Sequence, residues 1–120
     1  MRIAIPVITN NKDTKISTSF GRSPYYLIYD VKENIMNYVK NTAKDAQGGA
    51  GVKASQIIID NKCDVVITPQ CGNNSYEVLK EAGIEVLQSK GDVVDLNIIY
   101  FQNKTLNHLT NVHAGFHGAK

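Results

Sequence analysis

The chain opens on a compact apolar run, Ile3-Ala4-Ile5-Pro6-Val7-Ile8, which breaks into the polar Thr9-Asn10-Asn11-Lys12-Asp13. A β-branched run of that length, bounded by turn residues, predicts a buried strand followed by a loop. Beyond Ser23-Pro24, the segment Tyr25-Tyr26-Leu27-Ile28-Tyr29-Asp30 is dense in aromatic and β-branched residues and predicts a second strand. Lys32-Glu33-Asn34 reads as a turn, and residues 35–39 as a third strand. Connections this short favour an antiparallel meander.

After residue 41 the period lengthens. Gly48-Gly49-Ala50-Gly51 leads into a stretch where Val52, Ser55 or Gln56, and Ile59 recur at helical spacing, predicting a helix from Val52 to about Lys62. Residues 64–68 form a short buried strand and 69–73 a turn. Asn74 as N-cap with Glu77 three positions later has the spacing of a capping box. That second helix carries Val78, Leu79 and Ala82 and stops at Gly83, a usual residue just past a helix end. Residues 84–87 make the last strand, and Asp92 is placed to cap a final helix carrying Val93, Leu96, Ile99 and Tyr100. From Asn103 the chain is polar, so the reading is a domain over 1–102 and a flexible C-terminal tail over 103–120.

The order is three strands, then helix, strand, helix, strand, helix. Right-handed crossovers make the later strands parallel to the first. The turns after strands one, three, four and five then open on one edge of the sheet. They hold Ser19-Phe20-Gly21-Arg22, Gly48-Gly49-Ala50-Gly51, Gln70-Cys71-Gly72-Asn73 and Ser89-Lys90-Gly91-Asp92. Open α/β sheets bind ligands beyond the carboxyl ends of their strands.

Composition narrows the class. At 120 residues, 42% hydrophobic and 20% charged, the chain is sized and composed as one globular domain. A net charge of +2, with both signs interspersed, gives no basic face for nucleic acid. The apolar start is too short for a signal sequence, and no stretch approaches the ~18–20 apolar residues of a membrane span. A cytoplasmic location is the expectation. Cys63 and Cys71 flank one short strand, ~17 Å or more apart, well beyond the ~7 Å limit of a disulfide, so both are expected to be free.

Several residues carry candidate chemistry. Gly49, Ala50 and Gly51 precede a helix without bulky side chains, where backbone N–H groups receive an anion; they also read as a flexible, closely packed loop. The segment lacks the Lys-Ser/Thr ending of a P-loop. Cys71, beside Gly72 and Asn73 at a helix N-terminus, reads as a small buried turn residue, a soft-metal ligand or a nucleophile. Arg22 clamps an anion or pairs with an acidic neighbour. His113 and His117, four apart, suit metal binding on a helix, against a solvated tail. A two-metal nuclease needs inward carboxylates, and strand one has none.

With those residues in view, the chain resembles the dinitrogenase iron–molybdenum cofactor biosynthesis family, the small domains like NifX and the C-terminal part of NifB. The resembling pieces are Ile3-Ala4-Ile5-Pro6-Val7, residues 16–30 with Phe20-Gly21-Arg22, Gly49-Ala50-Gly51-Val52-Lys53-Ala54, Asp64-Val65-Val66-Ile67-Thr68, and residues 79–86. The resemblance implies a ribonuclease H-like, three-layer α/β/α fold with a five-stranded mixed sheet of order 3-2-1-4-5. It implies no catalysis, and transient binding of an iron–sulfur-based or iron–molybdenum-type cofactor passed between donor and acceptor proteins. On that reading Phe20, Gly21, Arg22, Gly49, Ala50, Gly51, Cys71, Gly72 and Asn73 hold the cofactor, with a Cys71 thiolate on iron. Members often carry histidine directly before Phe-Gly-Arg, where this chain has Ser19, a poor iron ligand. The alternatives are a regulatory domain binding a phosphorylated metabolite through the same turns, a protein-interaction module and, last, a cysteine-dependent enzyme.

Overall fold

The computed structural model describes residues 1–110 and 112–113. Strand β1 spans Arg2–Val7, β2 Tyr25–Asp30 and β3 Ile35–Lys40. Helix α1 follows at Ala50–Asp60, then β4 at Val65–Thr68, β5 at Cys71–Gly72 and α2 at Asn73–Glu81. The chain continues through β6 at Glu85–Gln88, α3 at Val94–Gln102 and β7 at Val112–His113. The main sheet runs β3-β2-β1-β4-β6, with β1, β2 and β3 antiparallel and β1, β4 and β6 parallel. This is the expected mixed five-stranded order.

Strand periodicity builds the layers. Alternate residues point to opposite faces, so Ala4, Tyr26, Ile28, Val66 and Val86 pack under Ala54 and Ile58 of α1 and Leu79 of α2. Their neighbours Ile3, Ile5, Leu27, Val65, Ile67 and Leu87 pack under Val94 and Ile98 of α3 on the other face. Two helices therefore cover one face and one helix the other. No helix among the described residues is long and apolar enough to cross a membrane.

Helix starts differ from the sequence reading. Helix α1 begins at Ala50, two residues early, because Gly49 adopts a left-handed φ of 67° and turns the chain into the helix. Helix α2 is capped by Gly72 rather than Asn74, and no side chain caps it, so the Asn74/Glu77 box is not made. Helix α3 starts after Val93, and the Asp92 carbonyl instead accepts the Ile16 N–H at 2.9 Å. It buries Val94, Asn97 and Ile98 and exposes Leu96 and Ile99, because the Asn97 amide is drawn inward. Its Oδ1 accepts the Lys90 N–H at 2.8 Å and its Nδ2 donates to the Lys90 carbonyl at 2.9 Å.

The polar stretch after residue 103 packs back onto the domain over its described part. The Asn107 carbonyl accepts the Gln88 N–H, the Leu109 N–H donates to the Val86 carbonyl, and the Leu109 side chain joins the first core cluster. Strand β7 then pairs in parallel with β5, matching Cys71 to Val112 and Gly72 to His113. Both strands are two residues long, too short to register as period-two runs. His117 lies outside the described residues.

Candidate functional site

Three of the four expected turns meet around one cleft of about 340 Å³. Its walls are the loop after β1 (Ser19, Phe20, Gly21, Arg22), the start of α1 (Gly48 to Val52) and the start of α2 (Gly72 to Ser75), with Gln70 beside them. The fourth turn, at residues 89–92, does not line it. Asp92 and Val93 are tied instead to Ile16 and Lys15, on the α3 side of the sheet. His113 of β7 takes the remaining place on the cleft wall.

The loop carrying Phe20, Gly21 and Arg22 is pinned from beneath. The Phe20 ring is buried against Tyr26, with centroids 5.5 Å apart. The Tyr26 hydroxyl donates to the Phe20 carbonyl. Burial, with a smaller contribution from nearby Cys71, pushes the Tyr26 phenol well above its usual range. Asn41 is 2% exposed and its Nδ2 donates to the Gly21 carbonyl at 3.0 Å, the Ser23 carbonyl at 2.9 Å and the Tyr26 hydroxyl at 3.2 Å. Nothing in the sequence marked Asn41, since its role rests on partners 15 to 20 residues upstream.

Arg22 is held by main-chain carbonyls and not by the acidic neighbour that was one of its two expected partners. Its Nη1 donates to the Lys44 carbonyl at 2.8 Å and the Ala46 carbonyl at 3.0 Å, latching the loop before α1. No carboxylate lies within ion-pair distance of it among the described residues. The side chain stays exposed at the cleft, with Nε and Nη2 left for a ligand.

The two helix ends approach closely. Gly51 packs against Ser75 and Gly21 packs against Gly51, with no room for side chains between. The first N–H groups of a helix have no partner within it. Neither α1 nor α2 has a side-chain cap or an acidic residue in its first turn. Both positive helix ends therefore face a cleft that no aspartate, glutamate or cysteine lines among the described residues.

Cys71 is placed differently from the expected edge ligand. It is 1% exposed in the core beside Leu79, and burial pushes its thiol up to about 12, against a smaller opposing hydrogen bond with Ser75. Strand alternation sends Cys71 inward and leaves Gly72 at the cleft wall. Cys63 is also free and buried, its thiol likewise pushed up to about 12 by burial. No group of three or more His, Cys, Asp or Glu side chains among the described residues is arranged for a metal ion. The cleft suits an anionic cargo held by N–H donors better than a cluster gripped by thiolates.

Comparison with known proteins places these features in context. The family model described as dinitrogenase iron–molybdenum cofactor matches residues 1–104. The structure of a NifB-assigned protein from Thermotoga is 30% identical, covers 99% of this chain and 98% of its own, and superposes with a TM-score of 0.79. The apo form of the orange protein from Desulfovibrio gigas shares the fold at a TM-score of 0.83, with 24% identity over 92% of this chain and 93% of that one. An uncharacterised protein of Methanocaldococcus jannaschii is 28% identical over 98 residues, 79% of this chain and 80% of that protein.

Proposed function

Since this chain belongs to the dinitrogenase iron–molybdenum cofactor family, we propose that it is a non-enzymatic carrier that holds an anionic iron–sulfur-based cofactor, or its precursor, in the cleft between α1 and α2. One observation carries the reading: two helix N-termini without side-chain caps converge on a cavity that no carboxylate lines among the described residues, with an arginine at its rim. The backbone N–H groups of Ala50, Gly51, Asn73 and Asn74 hydrogen-bond the cargo, and Arg22 balances its charge. Cys71 acts through packing, not as the iron ligand. A cargo held mostly by hydrogen bonds leaves intact when an acceptor protein offers stronger ligands, which is what a carrier requires.

The test is uptake under anaerobic conditions. Protein mixed with excess tetrathiomolybdate, a sulfur-bearing molybdenum anion, and passed through a desalting column should retain about one molybdenum per chain with visible absorption. Arg22→Ala should retain markedly less. A colourless wild-type protein would remove the carrier reading. Because the donors are backbone groups, the regulatory alternative shares the site. It is favoured if millimolar phosphate raises the melting temperature while the thiometalate does not.

A further inference from the structure

Among the described residues, the cleft is lined by one histidine and by no cysteine or carboxylate, and that histidine arrives from an unexpected direction. Val112 of β7 packs against the first core cluster, and His113 lines the cleft. Alternation along β7 produces this split, and the pairing with β5 sets the position: Val112 lies opposite buried Cys71, and His113 opposite Gly72, the residue that caps α2. Leu109, 4% exposed, anchors the segment in the core three residues earlier. The imidazole is thus placed at a helix N-terminus by main-chain pairing and by a buried leucine.

We propose that His113 is a direct ligand to a metal ion of the bound cargo, the single covalent tether at a site otherwise built from hydrogen-bond donors. The inference rests on the carrier reading and specifies its cargo: an anion with at least one substitutable metal position. Ser19, which also lines the cleft, is a poor iron ligand, and the Cys71 thiol is buried away from the cleft. A neutral imidazole suits iron. In the binding step its nitrogen lone pair forms the metal–nitrogen bond as a weakly held chloride or water leaves with its own pair. The oxidation state of the metal is unchanged. One such bond adds affinity without closing the coordination sphere, so the cargo stays transferable.

The experiment compares two probes on wild type, His113→Ala and His113→Gln. One is tetrathiomolybdate, whose molybdenum has no open position. The other is an iron–thiomolybdate anion carrying two labile chlorides on iron. Wild type should bind both, and iron X-ray absorption should show a nitrogen neighbour for the second. Both variants should bind tetrathiomolybdate as wild type does, yet lose the nitrogen neighbour and bind the iron anion about tenfold more weakly, or about 1.4 kcal/mol. Equal binding of the iron anion by all three proteins, with unchanged spectra, overturns the inference and leaves the carrier reading standing. Equal weakening of both probes overturns it too, because His113 would then act on the fold or on charge. If wild type takes up neither probe, the carrier reading itself fails.

Discussion

Gly51 of α1 lies against the hydroxyl of Ser75 in α2, and a Cβ on Gly51 would stand 2.1 Å from that oxygen. The Ser75 Cβ is 3.5 Å away, an ordinary contact. The glycine therefore makes room for a hydroxyl, and through it for the close approach of two helix ends. Gly51→Ala should destabilise the protein by about 1–3 kcal/mol, although alanine elsewhere in a helix is stabilising. Adding Ser75→Ala should recover most of the loss, because only the oxygen clashes. Urea unfolding of both single variants and the double variant closes the cycle. Additive losses would contradict the contact.

Gly48 and Gly49 are adjacent, but only one is constrained. Gly49 has a φ of 67°, whereas a Cβ on Gly48 meets nothing within 4 Å. The left-handed conformation costs a residue with a Cβ about 1–2 kcal/mol. Gly49→Ala should lower stability by that amount and Gly48→Ala should be nearly neutral. Equal losses, read from thermal melts, would mean that α1 does not start through Gly49.

How far the fold could be read ahead depended on where the information lay. The apolar runs of β1 and β2 and the helical spacing in α1 are local and were enough for the elements and the strand directions, whereas the sheet order and the three layers rested on the resemblance to the family. Chain direction then put Gly21, Gly49 and Gly72 on one edge. The face of α3 was missed because Asn97, a polar residue, is its most buried position, held by Lys90 rather than by apolar contacts. Strands β5 and β7 were missed because two residues carry no period. Their pairing, with Leu109 buried three residues before Val112, brings His113 to the cleft while Cys71 points into the core.

Asn41 should behave as a positioning residue. Asn41→Ala leaves the Gly21 and Ser23 carbonyls without its donors and removes a partner from the Tyr26 hydroxyl. Each buried polar group left unpaired costs about 1–3 kcal/mol. The expected result is a clearly lower melting temperature, together with weaker thiometalate uptake at temperatures where the variant is still folded. Uptake equal to wild type in the folded variant would separate Asn41 from the site.

Alkaline conditions should weaken the fold through its buried neutral thiols and phenol. Cys63 and Cys71 have thiols pushed up to about 12 from the usual 9.0, and the Tyr26 phenol is also raised. In the unfolded chain these groups release protons near their ordinary values, while the native state retains them. Stability contributed by the neutral groups is fully present below about pH 9 and is lost as pH rises toward 12. Urea midpoints measured from pH 7 to 11 should hold level at first and then fall. Midpoints that stay level up to pH 11 would mean that these thiols are exposed in the native state.

Cys71 distinguishes packing from ligation most directly. Buried and protonated, it should resist iodoacetamide at pH 8 in the native protein and react promptly in urea. Cys71→Ala removes a small buried side chain and its contact with Ser75, so stability should fall by about 1 kcal/mol. Metal uptake should be unchanged, because the cleft wall at this point is Gly72. If the variant stays folded by circular dichroism but no longer retains thiometalate, the thiol reaches the cargo. The carrier would then hold its cofactor through sulfur, and the segment carrying Cys71 would have to turn outward when it binds.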